Sequence, residues 1–89
     1  MFYTYILYSA KYDRFYIGQC EDVFARLVRH NSSGVPSTKP YIPWQLAYYE
    51  EYASRAEASK RELEIKKKKS RKYIEFLANG GGIGKHVSI

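Results

Sequence analysis

The sequence predicts an α/β fold: a small three-stranded antiparallel sheet flanked by helices, in the order ββαβαα. Three observations carry this. Phe2 to Tyr8 and Phe15 to Gly18 are runs of aromatic and β-branched residues separated by a polar turn at Lys11 to Arg14, the pattern of an antiparallel hairpin. Asp22 precedes a helical stretch that stops at Asn31-Ser32-Ser33-Gly34, and Ser54-Arg55-Ala56-Glu57 matches a capping box that opens another. Between the helices, Trp44 to Tyr52 is again strand-like.

In the first strand the side-chain period of two puts Tyr3, Tyr5 and Leu7 on one face and Phe2, Thr4, Ile6 and Tyr8 on the other. The first helix runs to about Ser32. Val23, Phe24, Leu27 and Val28 form its apolar arc, while Asp22, Arg26 and His30, one turn apart, form a polar face at the boundary of core and solvent. Pro36, Pro40 and Pro43 exclude a helix over the next segment, leaving an extended loop with Ser37, Thr38, Lys39 and Tyr41, long enough to touch a ligand. The second helix passes through the basic block Lys66 to Lys69, and Ser70 opens a third with Tyr73, Ile74, Phe76 and Leu77 on one side. Residues 1–78 thus form one domain, and the glycine-rich residues 79–89 are expected to be a flexible tail without a core role. The piece Gly80 to Lys85 is no phosphate-binding loop, because Asn79 replaces its opening glycine, His86 its hydroxyl residue, and no helix follows.

With 89 residues the chain buries about 60 to 65% of its unfolded surface and leaves no room for a second domain. Fifteen basic against nine acidic residues give a net charge of +6, which concentrates polyanions around the protein, so nucleic acid is the first partner to consider. A merely basic soluble surface is the plain alternative. Cys20 is the single cysteine, which excludes an intramolecular disulfide and a Cys-rich zinc site. No apolar run approaches the roughly 20 residues of a membrane span, and the opening residues are not those of a signal peptide; the expected location is cytoplasmic.

Among groups capable of chemistry, Glu62 stands in a stripe with Ala58 and Ile65, where an apolar residue is expected. A carboxylate there needs a partner. Either it pairs with a neighbouring Lys or Arg, or it binds a divalent cation such as Mg2+, which keeps most of its waters and needs only one or two protein carboxylates. Arg26 suits a phosphate by charge-assisted hydrogen bonds, or else a surface pair with Asp22. His30 suits proton transfer near neutrality, or else a surface position. The run Lys66 to Lys69 with Arg71 and Lys72 suits phosphate contacts and equally a solvated helix end.

Order and spacing together resemble the GIY-YIG nuclease domain, and its small stand-alone members most closely. Tyr16-Ile17-Gly18 is the second half-motif; Tyr3-Thr4-Tyr5 stands where the first would be and keeps only the final tyrosine. Asp22 to Leu27 followed by His30-Asn31-Ser32-Ser33-Gly34 is similar to the helix bearing the family's arginine, and Arg61 to Lys67 to the helix bearing its metal-binding glutamate. The resemblance covers residues 2–77. It implies Tyr5 and Tyr16 near an attacking water, Arg26 on the scissile phosphate, His30 assisting proton transfer, and Glu62 holding one divalent cation, Mg2+ or Mn2+. The implied activity is metal-dependent DNA endonuclease action in repair or recombination. From the basic residues themselves Lys39, Lys66 and Lys67 are candidate DNA contacts, and the small size of the domain leaves specificity to a homodimer or partner protein. The alternative is an idle nucleic-acid-binding or protein-interaction module on the same fold.

Overall fold

The computed structural model describes residues 1–86 of the chain. Its elements follow the expected order: β1 (Phe2–Ser9), β2 (Arg14–Cys20), α1 (Val23–Asn31), β3 (Gln45–Tyr52), α2 (Arg55–Lys67) and α3 (Arg71–Phe76), with a short β4 (Lys85–His86) added at the end. The antiparallel sheet has the order β2-β1-β3-β4, so β1 is central to the three long strands. In its register Tyr5 lies opposite Gly18 on one side and Tyr49 on the other.

Each sheet face carries its own cluster. Tyr5 and Leu7 pack with Cys20, Val23, Trp44 and Leu46 beneath α1 and the loop that follows it. Ile6 packs with Ile17, Tyr48, Ile65 and Leu77 beneath α2 and α3. The alternation within β1 thus divides the molecule into a face that α1 covers and a face that α2 covers.

The caps form as read. Asp22 Oδ1 accepts from the Ala25 amide (3.0 Å) and Ser54 Oγ from the Glu57 amide (3.2 Å), each contributing about 1 kcal/mol. In the second cap the Glu57 carboxylate takes the Ser54 hydroxyl and not its amide.

Three expectations need correction. The apolar arc of α1 is not its buried arc: Phe24 and Val28 are both 64% exposed, while Val23 and His30 are buried and Leu27 is half-buried. Val23, Arg26, Leu27 and His30 fall within about 100° of one another on a helix, so packing Val23 and Leu27 on the sheet carries Arg26 and His30 inward with them. His30 is therefore core, not boundary.

The second correction concerns the segment after Ala78. Leu77–Gly81 make a wide turn in which Gly80 takes φ +98°, and the chain returns along the sheet. The Gly84 amide donates to Tyr48 Oη (2.9 Å), and Lys85–His86 pair with Tyr48 and Tyr49. Through His86 the segment joins the fold; the last three positions of the expected tail lie outside the described residues.

Third, the fully buried carboxylate is Glu50, only 2% exposed. Arg61 grips it through Nε (2.8 Å) and Nη2 (3.2 Å), and the hydroxyls of Tyr48 and Tyr52 each donate to it at 2.5 Å. Burial alone would raise its pKa, but these donors outweigh burial and hold it below the usual carboxylate range. The network ties β3 to α2 and, through the Arg61 bond to Tyr73 Oη (2.9 Å), to α3.

Candidate active site

Tyr5, Tyr16 and Gly18 share a face because the side-chain period of a strand is two and Tyr5 pairs with Gly18. The glycine is there for space. A Cβ at position 18 would lie 2.6 Å from Tyr5 Oη and 2.7 Å from its Cζ, so only a bare backbone lets the phenol lie across β2. Tyr5 is 1% exposed, while Tyr16 is half-buried with its ring 6.3 Å from that of Tyr5.

From α1 the buried His30 completes the cluster. Its ring lies 4.9 Å from that of Tyr16, its Nε2 is 3.1 Å from Tyr5 Oη, and its Nδ1 is 2.7 Å from Thr38 Oγ1. Burial, then the charges of Arg26 and Arg29, lower its pKa, so the imidazole is neutral at pH 7. The phenol of Tyr5 moves the other way. Burial raises its pKa well above the usual phenol range, nearby Tyr16 adds to the effect, and Arg26 opposes it.

Arg26 is half-buried beside this cluster. The surface pair with Asp22 does not form, because Asp22 caps the helix, and among the described residues Arg26 makes no ion pair. A guanidinium placed next to a phenol with no carboxylate of its own is free to take an anion.

The loop after α1 is fastened around His30. Asn31 Nδ2 donates to the Trp44 carbonyl (2.9 Å), Asn31 Oδ1 accepts from the Trp44 amide (2.7 Å), and Trp44 Nε1 donates to the Thr38 carbonyl (3.0 Å). Thr38 is the polar group that the sequence does not single out. Nothing local distinguishes it from Ser37; only the tertiary fastening puts its hydroxyl on His30.

Glu62 is not in the aromatic cluster. It lies on α2, against the opposite face of the sheet, in the stripe between buried Ala58 and Ile65 and with 20% of its side chain exposed. Lys66 Nζ sits 2.5 Å from its Oε2, an i,i+4 pair worth only about 0.5 kcal/mol. Arg55 at the start of α2 donates to Gln19 Oε1 (3.2 Å), and Ile65 packs with Ile17, so α2 runs antiparallel to β2. The seven positions from Arg55 to Glu62 are roughly 10 Å of helix, or about three residues of strand. Glu62 therefore stands at the level of Tyr16 to Gly18, on the face of the sheet opposite the tyrosine side chains.

Among the described residues no three His, Cys, Asp or Glu side chains group as metal ligands. A lone, partly exposed carboxylate is the donor set of a hard, largely hydrated cation and unsuited to a soft transition metal. Of the remaining candidates, Lys39 is exposed and follows Thr38, while Lys66 and Lys67 are exposed at the end of α2. No helix among the described residues is long and apolar enough to cross a membrane.

No solved structure matches the chain. Among curated proteins it is similar to a UPF0213 protein of Staphylococcus saprophyticus, 35% identical over 79 residues, which are 88% of this chain and 95% of that one. A UPF0213 protein of Staphylococcus epidermidis is 38% identical over 66 residues, 73% of this chain and 80% of the relative. One from Streptococcus pneumoniae is 36% identical over 77 residues, 85% and 77% of the two chains. The family model described as the GIY-YIG catalytic domain matches residues 1–74, which span both tyrosines, Arg26, His30 and Glu62. By that match the chain belongs to the GIY-YIG family of nuclease-type catalytic domains.

Proposed function

We propose that the chain is a divalent-metal-dependent DNA endonuclease of repair or recombination, with Tyr5, Tyr16, Arg26, His30 and Glu62 as its working residues. The observation that carries the reading is the buried Tyr5–His30 hydrogen bond beside an arginine with no acidic partner. A base, its proton acceptor and an anion-binding group are thus adjacent.

In the hydrolysis, Arg26 binds the non-bridging oxygens of the scissile phosphate. The water oxygen bonds to phosphorus while its proton passes to Tyr5 Oη, and the proton of Tyr5 passes to His30 Nε2. The bond from phosphorus to the leaving oxygen breaks, its electron pair stays on that oxygen, and a proton from solvent neutralises it. Since burial raises the phenol pKa, Tyr5 gives up its proton in concert with transfer to His30 and with Arg26 favouring the phenolate. Tyr16, half-buried and without a hydrogen-bond partner among the described residues, is left to hold the water. Glu62 would hold Mg2+ or Mn2+ once released from Lys66, and the cation would supply positive charge for the oxygen that leaves. Lys39, Lys66 and Lys67 take outlying phosphates, and a second copy or a partner protein adds specificity.

One observation favours the idle module instead: the Glu62 carboxylate is already engaged by Lys66. The test is a panel of single-stranded, duplex, flapped and branched DNA, incubated with Mg2+, with Mn2+ or with chelator. The nuclease reading expects cleavage that the chelator stops. Salt-sensitive binding to every substrate with no cleavage of any would select the module.

A further inference from the structure

We infer that Thr38 is a positioning residue of this site: its hydroxyl holds His30 as the tautomer with hydrogen on Nδ1, which leaves Nε2 bare to accept the hydrogen of Tyr5. The catalytic meaning of this role rests on the proposed nuclease function; the tautomer itself does not.

Hydrogen bonds at both ring nitrogens favour the same tautomer. Tyr5 Oη is buried and lies beside Arg26, which only donates. Among the described residues His30 Nε2 is the acceptor its hydrogen finds, at 3.1 Å. Were Nε2 protonated, Tyr5 Oη would face two donors and its own hydrogen would have no protein acceptor, a cost the buried position would carry in full. At the other end Thr38 Oγ1, 1% exposed as a residue, lies 2.7 Å from Nδ1 and 3.3 Å from the Val35 carbonyl. A hydroxyl has one hydrogen and two lone pairs. With its hydrogen turned toward Val35, Oγ1 offers Nδ1 a lone pair, which matches the Nδ1–H that the Tyr5 hydrogen bond requires.

The hydroxyl is also held in place. The Val35 carbonyl takes the backbone amides of Thr38 (3.1 Å) and Lys39 (3.0 Å), and Trp44 Nε1 fixes the Thr38 carbonyl. Around the imidazole stand Tyr5 from β1, Tyr16 from β2, Arg26 and Arg29 from α1, and Thr38 from the loop. None of the others is within hydrogen-bonding reach of Nδ1. Among the described residues Thr38 is therefore the group that takes the Nδ1 hydrogen, and with Tyr5 at Nε2 it fixes the tautomer, the arrangement by which a hydrogen bond at one ring nitrogen fixes the role of the other.

The test is long-range 1H–15N correlation of the His30 imidazole in the wild type, Thr38→Val and Thr38→Ser, beside single-turnover cleavage. The wild type should show Nδ1 protonated and Nε2 bare. Thr38→Val keeps the shape and loses the acceptor, so the Nδ1 hydrogen is left unpaired against the claim of Tyr5 on Nε2; the Nε2-protonated form should become detectable, and the maximal single-turnover rate should fall about 100-fold with the half-saturating DNA concentration changed less than about twofold. Thr38→Ser should restore both signals. A wild-type ring protonated on Nε2, or a Thr38→Val spectrum identical to wild type, overturns the assignment whether or not DNA is cut. An Nδ1-protonated ring that shifts in Thr38→Val, in a protein that cuts no DNA, sustains the tautomer assignment and removes the nuclease reading.

Discussion

Gly18→Ala probes the close approach on which the tyrosine cluster depends. The added methyl would lie 2.6 Å from Tyr5 Oη, and ordinary contact begins near 3.4 Å, so the phenol has to retreat by about 0.8 Å. It cannot retreat freely, since Tyr5 is 1% exposed and held between Tyr16 and His30. Overpacking of this kind costs about 1 to 3 kcal/mol, against about 0.5 to 1 kcal/mol gained by replacing glycine within a strand. A net loss of about 1 to 2 kcal/mol is expected, which lowers the urea midpoint by roughly 1 M for a domain of this size. The 3.1 Å contact with His30 stretches beyond hydrogen-bonding range if the phenol swings outward, so cleavage should fall about 100-fold, as for a misplacement near 1 Å. Urea titration and single-turnover cleavage read the two effects separately. A Gly18→Ala protein with an unchanged midpoint and an unchanged rate would refute the packing argument.

Further outcomes follow from the buried charges and the rim. Glu50→Ala leaves Arg61 without its buried partner and should cost about 3 to 5 kcal/mol in urea unfolding, a large share of the stability of so small a domain. Because the folded-state pKa of His30 is lowered, the unfolded chain binds the proton more readily; stability is complete above about pH 6.5 and is lost as pH falls below it, at up to about 1.4 kcal/mol per pH unit. Urea midpoints from pH 7.5 to 5.5 should show this fall, and His30→Phe should flatten it. Lys39→Ala should reduce the magnitude of the salt slope of duplex binding by about 0.9, measured by fluorescence anisotropy, and an unchanged slope would remove Lys39 from the DNA contacts.

Much of the architecture is legible in local chemistry. Strand alternation in Phe2 to Tyr8 separates Tyr5 and Leu7 from Ile6, as the two core clusters do, and the residues at Asp22 and Ser54 start the helices where the caps are found. What escapes is whatever depends on the partner surface. Helical hydrophobicity marks Phe24 and Val28 as inward, yet the sheet is met by Val23 and Leu27, and His30 goes in with them. The late glycines read as looseness, but their missing side chains let the backbone lie against Tyr48 and Tyr49: a Cβ at Gly82 would be 2.3 Å from Tyr48 Oη. Glu50 reads as an ordinary strand residue until Arg61, eleven positions later, is seen to reach it. For the site, the tyrosine-glycine spacing and the arginine and histidine on α1 are visible in the sequence, while Thr38 is not, because its role is conferred by the fastening of Trp44.

Tyr5 and Glu62 lie on opposite faces of the sheet, and the proposed reaction needs both at one phosphate. Single-turnover cleavage by wild type, Arg26→Ala, Glu62→Ala and the double variant measures that joint requirement most directly, with circular dichroism to verify the fold. Parts of one catalytic unit are non-additive, so each single variant should lose about 1000-fold or more and the double variant should be little worse. Wild-type cleavage by Glu62→Ala, or losses that simply multiply in the double variant, would contradict it.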